Sequence, residues 1–549
     1  MLDAPTFNVP LGSEISGDDP LGLAPVNERL YGSVLPGINN VVRYVRIYAL
    51  LCWATRRTEE YVKKNSGGLT TKDVTGIFNG MREKIELLVT WANLDIKARG
   101  GLVGTQRKFP EDERSVSLTF EFFGTNEAAY MSAVQYRPSV TNGLGFLEAR
   151  AHGTFACTEV GVELAQAMDE ALRSNPHYKW LGNVRVRMVR RAQVTELKKA
   201  LDLEKPRRAE QDVFLSRLVP AKAEAEDVSL DANRRAGMVL ALRAVAAANA
   251  MNRRRKRARV GASEREIRTA MARGCAADGT VLDLAGIEKA QAKWAVLQLR
   301  QYQRACVEAF YVGLEYVLSG EVALQDRSIN GVAEYMGVLA EETFTRGVRL
   351  IVGDLEKEIR SLQGSHASLY QAALAKPEAD VFQLREDLLD SELDVLEGSG
   401  MPLLGEAVSG LVFCAVEARN LATEERMRSY LALDPDKLPL AALPPLINQY
   451  RSHPVRELVA HMVRIEVIDR HYQVVAMRSR SADEKNRFRF VETEDGLRRF
   501  DESRDLPLIT EAQDRLARAL DLLEQCDILE RDEGGYVLMG RGSVLLARN

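Results

Sequence analysis

Cysteine and histidine are scarce in this chain, with six of each among 549 residues. The cysteines are too few and too scattered for a disulfide framework, and no Cys-x-x-Cys pair occurs among them. The histidines form no His-x-x-x-His or His-Glu-x-x-His pattern, the spacing that places two zinc ligands on one helix face. These patterns exclude a secreted disulfide scaffold, disfavour structural zinc and fit a reducing cytoplasm.

Long apolar runs are also missing. The best one, residues 407–416, is bounded by Glu406 and Glu417 and is far shorter than the roughly 20 residues that span a bilayer. Residues 1–25 have neither the basic start nor the apolar centre of a signal peptide. We therefore expect a cytoplasmic protein without a membrane partner.

Catalytic motifs are few and incomplete. No Gly-x-x-x-x-Gly-Lys-Ser/Thr phosphate loop occurs, so the chain is not itself a P-loop ATPase. His177-x-Lys179 begins a phospholipase-D-type pattern, but no aspartate follows at the required spacing. Glu196-x-Lys198 matches the end of a metal-nuclease signature, although its context is helical. We predict no catalytic residue, no bound metal and no cofactor, and keep a divergent metal-dependent nuclease as the alternative.

Neither sign of charge is in large excess. Lysine and arginine number 74 against 78 aspartates and glutamates, which gives a net charge of −4. The whole chain therefore predicts no polyanion partner, and any nucleic-acid surface must be local. Hydrophobic residues at 46% and charged residues at 28% are typical of a globular protein that can bury a large core.

The apolar residues mostly follow helical spacing. The stretches with this pattern are 41–64, 70–80, 81–94, 287–318, 332–360, 384–396, 405–420 and 455–477. The prolines within residues 1–25 predict an extended arm, and residues 488–497 predict a short hairpin. We predict a mainly α-helical, multi-domain protein with small winged-helix-like β-hairpins near both ends. The predicted domains are an N-terminal helical domain with a winged-helix-like unit at 1–190, a helical middle domain with a basic segment at 191–440, and a C-terminal winged-helix-like domain at 441–549.

An internal repeat supports the two hairpins. Residues 147–165 align without gaps on residues 528–546. The shared features include the pairs Arg150/Arg531, Gly153/Gly534, Phe155/Tyr536, Gly161/Gly542 and Leu164/Leu545. Internal self-similarity is stronger evidence of architecture than single-residue propensity. Each copy predicts a strand, a turn that contains the first glycine, and a return strand that carries the aromatic residue.

The C-terminal copy follows an amphipathic stretch at 511–525, which predicts a helix. This order of helix, strand, turn and strand resembles the second half of a winged helix-turn-helix domain, over about forty residues at 511–549 and about thirty at 138–166. The resemblance implies either DNA binding, with Arg515 and Arg518 as contacts on the C-terminal helix, or docking of a protein partner. Asp532 and Glu533 at the predicted wing tip would face phosphates unfavourably.

The strongest charge feature is a basic run in the middle of the chain. Residues 251–273 contain nine basic and two acidic residues. Such a run can neutralise phosphates with little sequence readout, or it can be a solvated linker between helices. The predicted nucleic-acid-binding residues of this run are Arg253, Arg254, Arg255, Lys256, Arg257 and Arg259.

Two short segments carry a further resemblance. They are Leu35-Pro36-Gly37 followed by Arg43-Tyr44, Tyr48 and Cys52-Trp53, and Arg487-Phe488-Arg489-Phe490-Val491 followed by Gly496-Leu497-Arg498. Together they resemble uncharacterised bacterial proteins that are similar to ones encoded beside helicases, ATPases and methyltransferases in phage-defence gene clusters. The resemblance implies an accessory subunit of an antiviral system and carries no catalytic residues.

We therefore expect a non-enzymatic DNA-binding or adaptor subunit of a multi-protein bacterial antiviral defence complex. The expected partners are DNA and ATPase, helicase or nuclease subunits. Two alternatives stay open, the divergent nuclease and a kleisin-like structural bridge to an ATPase. Convergent carboxylates around a pocket would favour the nuclease.

Overall fold

The computed structural model describes residues 19–96, 102, 109, 117–119, 130–133, 135–186, 188–221, 229–256, 260–319, 324–344, 350–375, 383–385, 387–389, 402–478, 488–501, 506, 507, 509 and 513–548. The fold is mainly α-helical, with two-stranded antiparallel sheets near both ends, as the sequence predicts.

The α-helices are numbered here in chain order. They are α1 (Ala24–Val34), α2 (Val45–Lys64), α3 (Thr71–Ala92), α4 (Tyr136–Pro138), α5 (Glu159–Arg173), α6 (Tyr178–Leu181), α7 (Arg191–Leu197), α8 (Arg208–Leu218), α9 (Leu230–Arg254), α10 (Glu264–Arg273), α11 (Glu288–Leu318), α12 (Ile329–Glu342), α13 (Val352–Gln363), α14 (Leu369–Ala372), α15 (Pro402–Leu421), α16 (Glu425–Leu431), α17 (Leu443–Gln449), α18 (Val455–His461), α19 (Arg470–Arg478), α20 (Leu516–Gln525) and α21 (Gly540–Ala547). Segments of π-helix follow α4 (Ser139–Gly143) and α18 (Met462–Asp469).

The strands pair in four antiparallel sheets within the described residues. They are β1 (Ser117–Thr119) with β4 (Met188–Arg190), β2 (Leu147–Ala149) with β3 (Phe155–Cys157), β5 (Phe490–Thr493) with β6 (Gly496–Arg499), and β7 (Leu529–Asp532) with β8 (Gly535–Leu538). The predicted hairpin at 488–497 is confirmed by β5 and β6.

Helix boundaries differ from the sequence prediction at three places. The helical stretch predicted at 332–360 is divided between α12, which ends at Glu342, and α13, which begins at Val352. The predicted break at Gly80 is wrong, because α3 runs unbroken past it from the capping box formed by Thr70 and Asp73. The glycine is buried in that helix, and packing offsets its poor helix propensity. The predicted arm reaches Pro25, but Pro25 lies in the first turn of α1, where a missing N–H costs nothing. Residues 1–18 of that arm lie outside the described residues.

The core is built around α11, a helix of 31 residues in which almost every side chain is buried. It contacts α1, α9, α10, α12, α15 and α16. The helix predicted at 287–318 is therefore confirmed almost to the residue. Because other helices surround it, α11 cannot be amphipathic, and its polar side chains must find partners inside the protein.

Both repeats form hairpins, and Phe155 and Tyr536 lie on the return strands as predicted. The pairing of the two copies is offset by one residue, because Cys157 pairs with Leu147 whereas the aligned Leu538 pairs with Leu529 rather than with Ile528. Five residues connect β2 to β3, and two connect β7 to β8. In the N-terminal copy the turn contains Gly153 with φ 73°, whereas in the C-terminal copy the positive φ of 134° falls on Gly535 rather than on Gly534.

A close approach of helix to strand is repeated in the two copies. A Cβ on Gly161 of α5 would lie 1.9 Å from the Phe146 carbonyl oxygen, and one on Gly542 of α21 would lie 2.6 Å from the Ile528 carbonyl oxygen. Each carbonyl belongs to the residue that precedes the first strand. Both glycines are therefore required by packing.

The C-terminal unit is packed between the N-terminal segment and the middle of the chain. Gln525 at the end of α20 accepts a hydrogen bond from the Val45 N–H (2.8 Å) and donates one to the Arg43 carbonyl (3.2 Å). On its other side, Tyr536 of β8 exchanges two backbone hydrogen bonds with Ala262, at 2.8 and 2.9 Å. These contacts place α20 beside α10 and residues 40–45.

Candidate anion-binding surfaces

The basic run begins at the C-terminal end of α9. Arg253, Arg254, Arg255 and Lys256, hereafter the basic tip, are all exposed. Arg254 donates to the Asp278 carboxylate at 2.6 Å and to the Thr280 hydroxyl at 2.5 Å. The other two predicted residues of the run, Arg257 and Arg259, lie outside the described residues.

The basic tip is anchored beside the C-terminal hairpin. Asn249, one turn before the tip on α9, is buried and donates to the Tyr536 carbonyl at 2.9 Å. Its side-chain oxygen accepts from the Leu538 N–H, also at 2.9 Å. A Cβ on Gly261 would lie 2.0 Å from the Asp532 carboxylate, so this position requires glycine. The hairpin edge is therefore bonded to α9 and to residues 261–262.

The negative charge at the hairpin turn is partly engaged inside the protein. Asp532 accepts backbone hydrogen bonds from Gly261 (2.9 Å), Gly534 (2.7 Å) and Gly535 (3.0 Å). Desolvation acts to raise the pKa of Asp532, but these N–H groups hold it below its usual value. The Asp532 carboxylate therefore points toward the backbone of the hairpin turn rather than toward solvent. Glu533, in contrast, is exposed.

Arg515 and Arg518 do not form an exposed surface with the basic tip. The Arg515 guanidinium lies over the Tyr31 ring, 4.7 Å from its centroid. Arg518 donates to the Asn40 carbonyl (3.0 Å) and to the Asp521 carboxylate (2.8 Å). Both arginines line a cleft between α10, α20 and the segment before α2.

This arginine cleft has a volume of about 270 Å³. Its lining is almost entirely polar and comprises Asn40, Glu264, Arg268, Arg385, Gln513, Asp514, Arg515, Ala517 and Arg518. Four guanidinium groups and two carboxylates therefore face one small space. The residues come from four separate parts of the chain.

The two carboxylates of the cleft are both engaged by Arg268. Its Nε lies 2.6 Å from Asp514, and its guanidinium also contacts Glu264. Asp514 is buried and accepts further hydrogen bonds from Gln298 (3.1 Å) and from the Leu516 N–H (3.2 Å). Burial acts to raise the pKa of Asp514, but the charge and hydrogen bonds of Arg268 hold it below its usual value. Asp514 is therefore ionised at neutral pH.

The backbone of Arg515 is unusual. It precedes the first residue of α20 with φ 69°, in the left-handed region that non-glycine residues rarely adopt. Its side chain makes no capping hydrogen bond to the helix. The Nε of Arg515 is buried and has no hydrogen-bond partner among the described residues.

The residues of the incomplete catalytic patterns contact carboxylates at the surface. His177 Nε2 lies 2.7 Å from Glu196, and Lys198 Nζ lies 2.7 Å from Asp95. The residues that the structure describes contain no group of three or more His, Cys, Asp and Glu side chains arranged to hold a metal ion.

Sequence reasoning did not identify Arg268 and Arg385 as members of the cleft. No local motif marks either residue, since the cleft forms only when α10, α20 and residues 383–385 meet in the folded chain. Within the described ranges, no helix is both long enough and apolar enough to cross a bilayer. No protein-family model matches this chain, and neither curated proteins nor solved structures give a match.

Proposed function

We propose that the protein is a non-enzymatic nucleic-acid-binding subunit of a bacterial antiviral defence complex and that the basic tip contacts the phosphate backbone. The observation that carries the proposal is the exposure of four consecutive cations at the end of α9, of which Arg254 is also paired with Asp278. Long cationic side chains held in solvent can each neutralise a phosphate and release its counterions. The defence context rests on the sequence resemblance alone.

The anchoring of the tip supports this assignment. Asn249 and residues 260–262 hold the hairpin β7–β8 beside the end of α9. A duplex that meets the tip would therefore also lie close to the hairpin. Asp532 is satisfied by backbone donors, so its charge opposes a phosphate less than the sequence suggested.

A purely structural role for the cations makes a different prediction. Basic residues at a helix C-terminus interact favourably with the helix dipole, by about 0.3–1 kcal/mol each at most exposed sites. If that were their whole role, removing them would lower stability without changing the binding of DNA. Stability and binding must therefore be measured on the same variants.

The test is a salt titration of duplex DNA binding by fluorescence anisotropy. The variant is Arg253→Gln with Arg255→Gln, and its matched control is Lys63→Gln with Lys64→Gln, which removes two exposed cations from the C-terminal end of α2. We expect the first variant to bind more weakly at every salt concentration. The slope of log K against log salt should fall by about two, because two phosphate contacts are lost.

Equal binding by both variants would contradict the assignment to the basic tip. No binding of duplex by the unmodified protein at low salt would contradict nucleic-acid binding altogether and leave the adaptor role. Co-purification with ATPase, helicase or nuclease products of neighbouring genes tests the adaptor role and the defence context directly.

A further inference from the structure

The arginine cleft has no part in the function proposed above. It contains Arg515 and Arg518, which the sequence assigned to DNA, but its arginines are recessed between elements rather than exposed on a surface. A groove of about 270 Å³ lies near the lower limit for small-molecule sites and is too confined for a duplex. Its ligand must therefore be small.

The charge of the cleft lining indicates the sign of that ligand. Arg268 pairs with both Asp514 and Glu264, which leaves one negative charge in this group of three. Arg385, Arg515 and Arg518 add three further guanidiniums to the lining. Arg385 also donates to Gln301 (2.9 Å), and Arg518 pairs with Asp521, which it shares with Arg531. The cleft therefore keeps an excess of positive charge in a partly desolvated space, where charge–charge interactions are stronger than in water.

The orientation of α20 adds to this excess. Residues 513–518 line the cleft, so the N-terminal end of a ten-residue helix faces it. Backbone N–H groups of the first turn and the positive end of the helix dipole favour an anion there. Arg515 keeps a strained left-handed backbone at this point, and its buried Nε has no hydrogen-bond partner among the described residues.

We propose that the arginine cleft binds a small ligand through a phosphate group, held by Arg385, Arg515, Arg518 and the first turn of α20. Planar guanidiniums match the geometry of phosphate oxygens and form paired hydrogen bonds with them. Such a ligand would join residue 40, α10, α20 and residues 383–385. It would therefore tighten the packing of the C-terminal unit against the remainder of the chain.

The test is calorimetric titration of the full chain with orthophosphate, pyrophosphate and ADP, at constant ionic strength. Orthophosphate binding identifies a free phosphate as sufficient, whereas binding of ADP alone identifies a nucleotide. The variants are Arg515→Gln and Arg385→Gln, with Arg515→Lys as the charge-keeping comparison. We expect at least tenfold weaker binding in both glutamine variants and a smaller loss in the lysine variant.

Hydrogen exchange gives a second measurement that does not depend on heat of binding. With free ligand at ten times its Kd, opening of residues 513–518 should be suppressed about elevenfold. If Arg515→Gln fails to fold, Arg385→Gln carries the test, because Arg385 lies outside the strained turn. Failure of all three ligands to bind at millimolar concentration, or equal binding by the folded glutamine variants, would overturn the proposal.

The outcome is separable from that of the basic tip. Arg253→Gln with Arg255→Gln should keep phosphate binding in the cleft and lose duplex affinity. Arg385→Gln should show the reverse. Loss of both activities in one variant would instead indicate a general polyanion effect and would overturn the assignment to a distinct cleft.

Discussion

Arg46 and Glu210 form a buried ion pair in which Nη2 lies 2.9 Å from Oε1 and Nε lies 3.0 Å from Oε2. The side chains are 3% and 0% exposed. The pair joins α2 to α8 across residue 190, where the sequence predicts a domain boundary. We expect Arg46→Ala to lower the free energy of unfolding by about 3–5 kcal/mol, because Glu210 would be left as an unpaired buried charge.

The control for this pair is the double variant Arg46→Met with Glu210→Leu. Apolar residues of similar volume need no partner, so the double variant should be more stable than Arg46→Ala alone. Urea denaturation followed by circular dichroism measures both. A single variant as stable as the unmodified protein would show that the charge of Glu210 reaches solvent.

Gly161 should not tolerate alanine. The added Cβ would lie 1.9 Å from the Phe146 carbonyl oxygen, so α5 would have to shift away from the N-terminal hairpin. We expect a loss of about 1–3 kcal/mol in thermal or urea denaturation. The control is Gly76→Ala on α3, where the site is exposed and nothing lies within 4 Å. That substitution should stabilise the protein by about 0.5–1 kcal/mol, because alanine is the better helix former.

Glu417 should make stability fall as pH rises. Burial raises the pKa of this carboxyl to about 7 from 4.5, although the Leu369 N–H opposes the shift by donating to Oε2 at 2.6 Å. The folded state therefore binds the proton more tightly than the unfolded state. The contribution to stability is intact below about pH 4.5 and is lost progressively up to about pH 7.

The variant that tests this linkage is Glu417→Gln, which cannot ionise. We expect the free energy of unfolding of this variant, relative to that of the unmodified protein, to increase by up to about 3 kcal/mol between pH 4.5 and pH 8. Glu424→Gln, at a largely exposed carboxyl, is the control and should show no such gain. Parallel pH profiles for the two variants would contradict the linkage.

Asn249 should control the docking of the C-terminal hairpin. Alanine at this position leaves the Tyr536 carbonyl and the Leu538 N–H without their side-chain partner, at about 1–3 kcal/mol for each buried group. We expect faster amide exchange at Leu538 in Asn249→Ala than in Asn330→Ala, a control on the exposed side of α12. Unchanged exchange at Leu538 would mean that strand pairing alone holds the hairpin.

The features that the sequence predicted correctly are encoded over short distances. The apolar spacing of α11 and the turn glycines of the two repeats each lie within one element, so local rules suffice. The helical segment at 136–143 is an exception, because Pro138 and Gly143 both oppose helix formation, yet the segment is helical in the folded chain. Tertiary packing determined that segment.

The cleft could not be predicted in the same way. Arg268 pairs with Asp514 across 246 residues, and neither position carries a recognisable motif. The sequence did single out Arg515 and Arg518, but on the premise of an exposed recognition helix. The structure places Arg515 over Tyr31 and Arg518 against Asn40, contacts that no pattern within α20 indicates.

The central position of α11 has a consequence for the order of folding. Helix α1 packs on α11, yet more than 250 residues separate the end of one from the start of the other. Synthesis at about 5–20 residues per second leaves α1 without that partner for on the order of tens of seconds. During that interval the apolar face of α1, with Val26, Leu30 and Val34, has no α11 to cover it. A nascent chain of this protein therefore has a long period in which chaperone binding competes with aggregation.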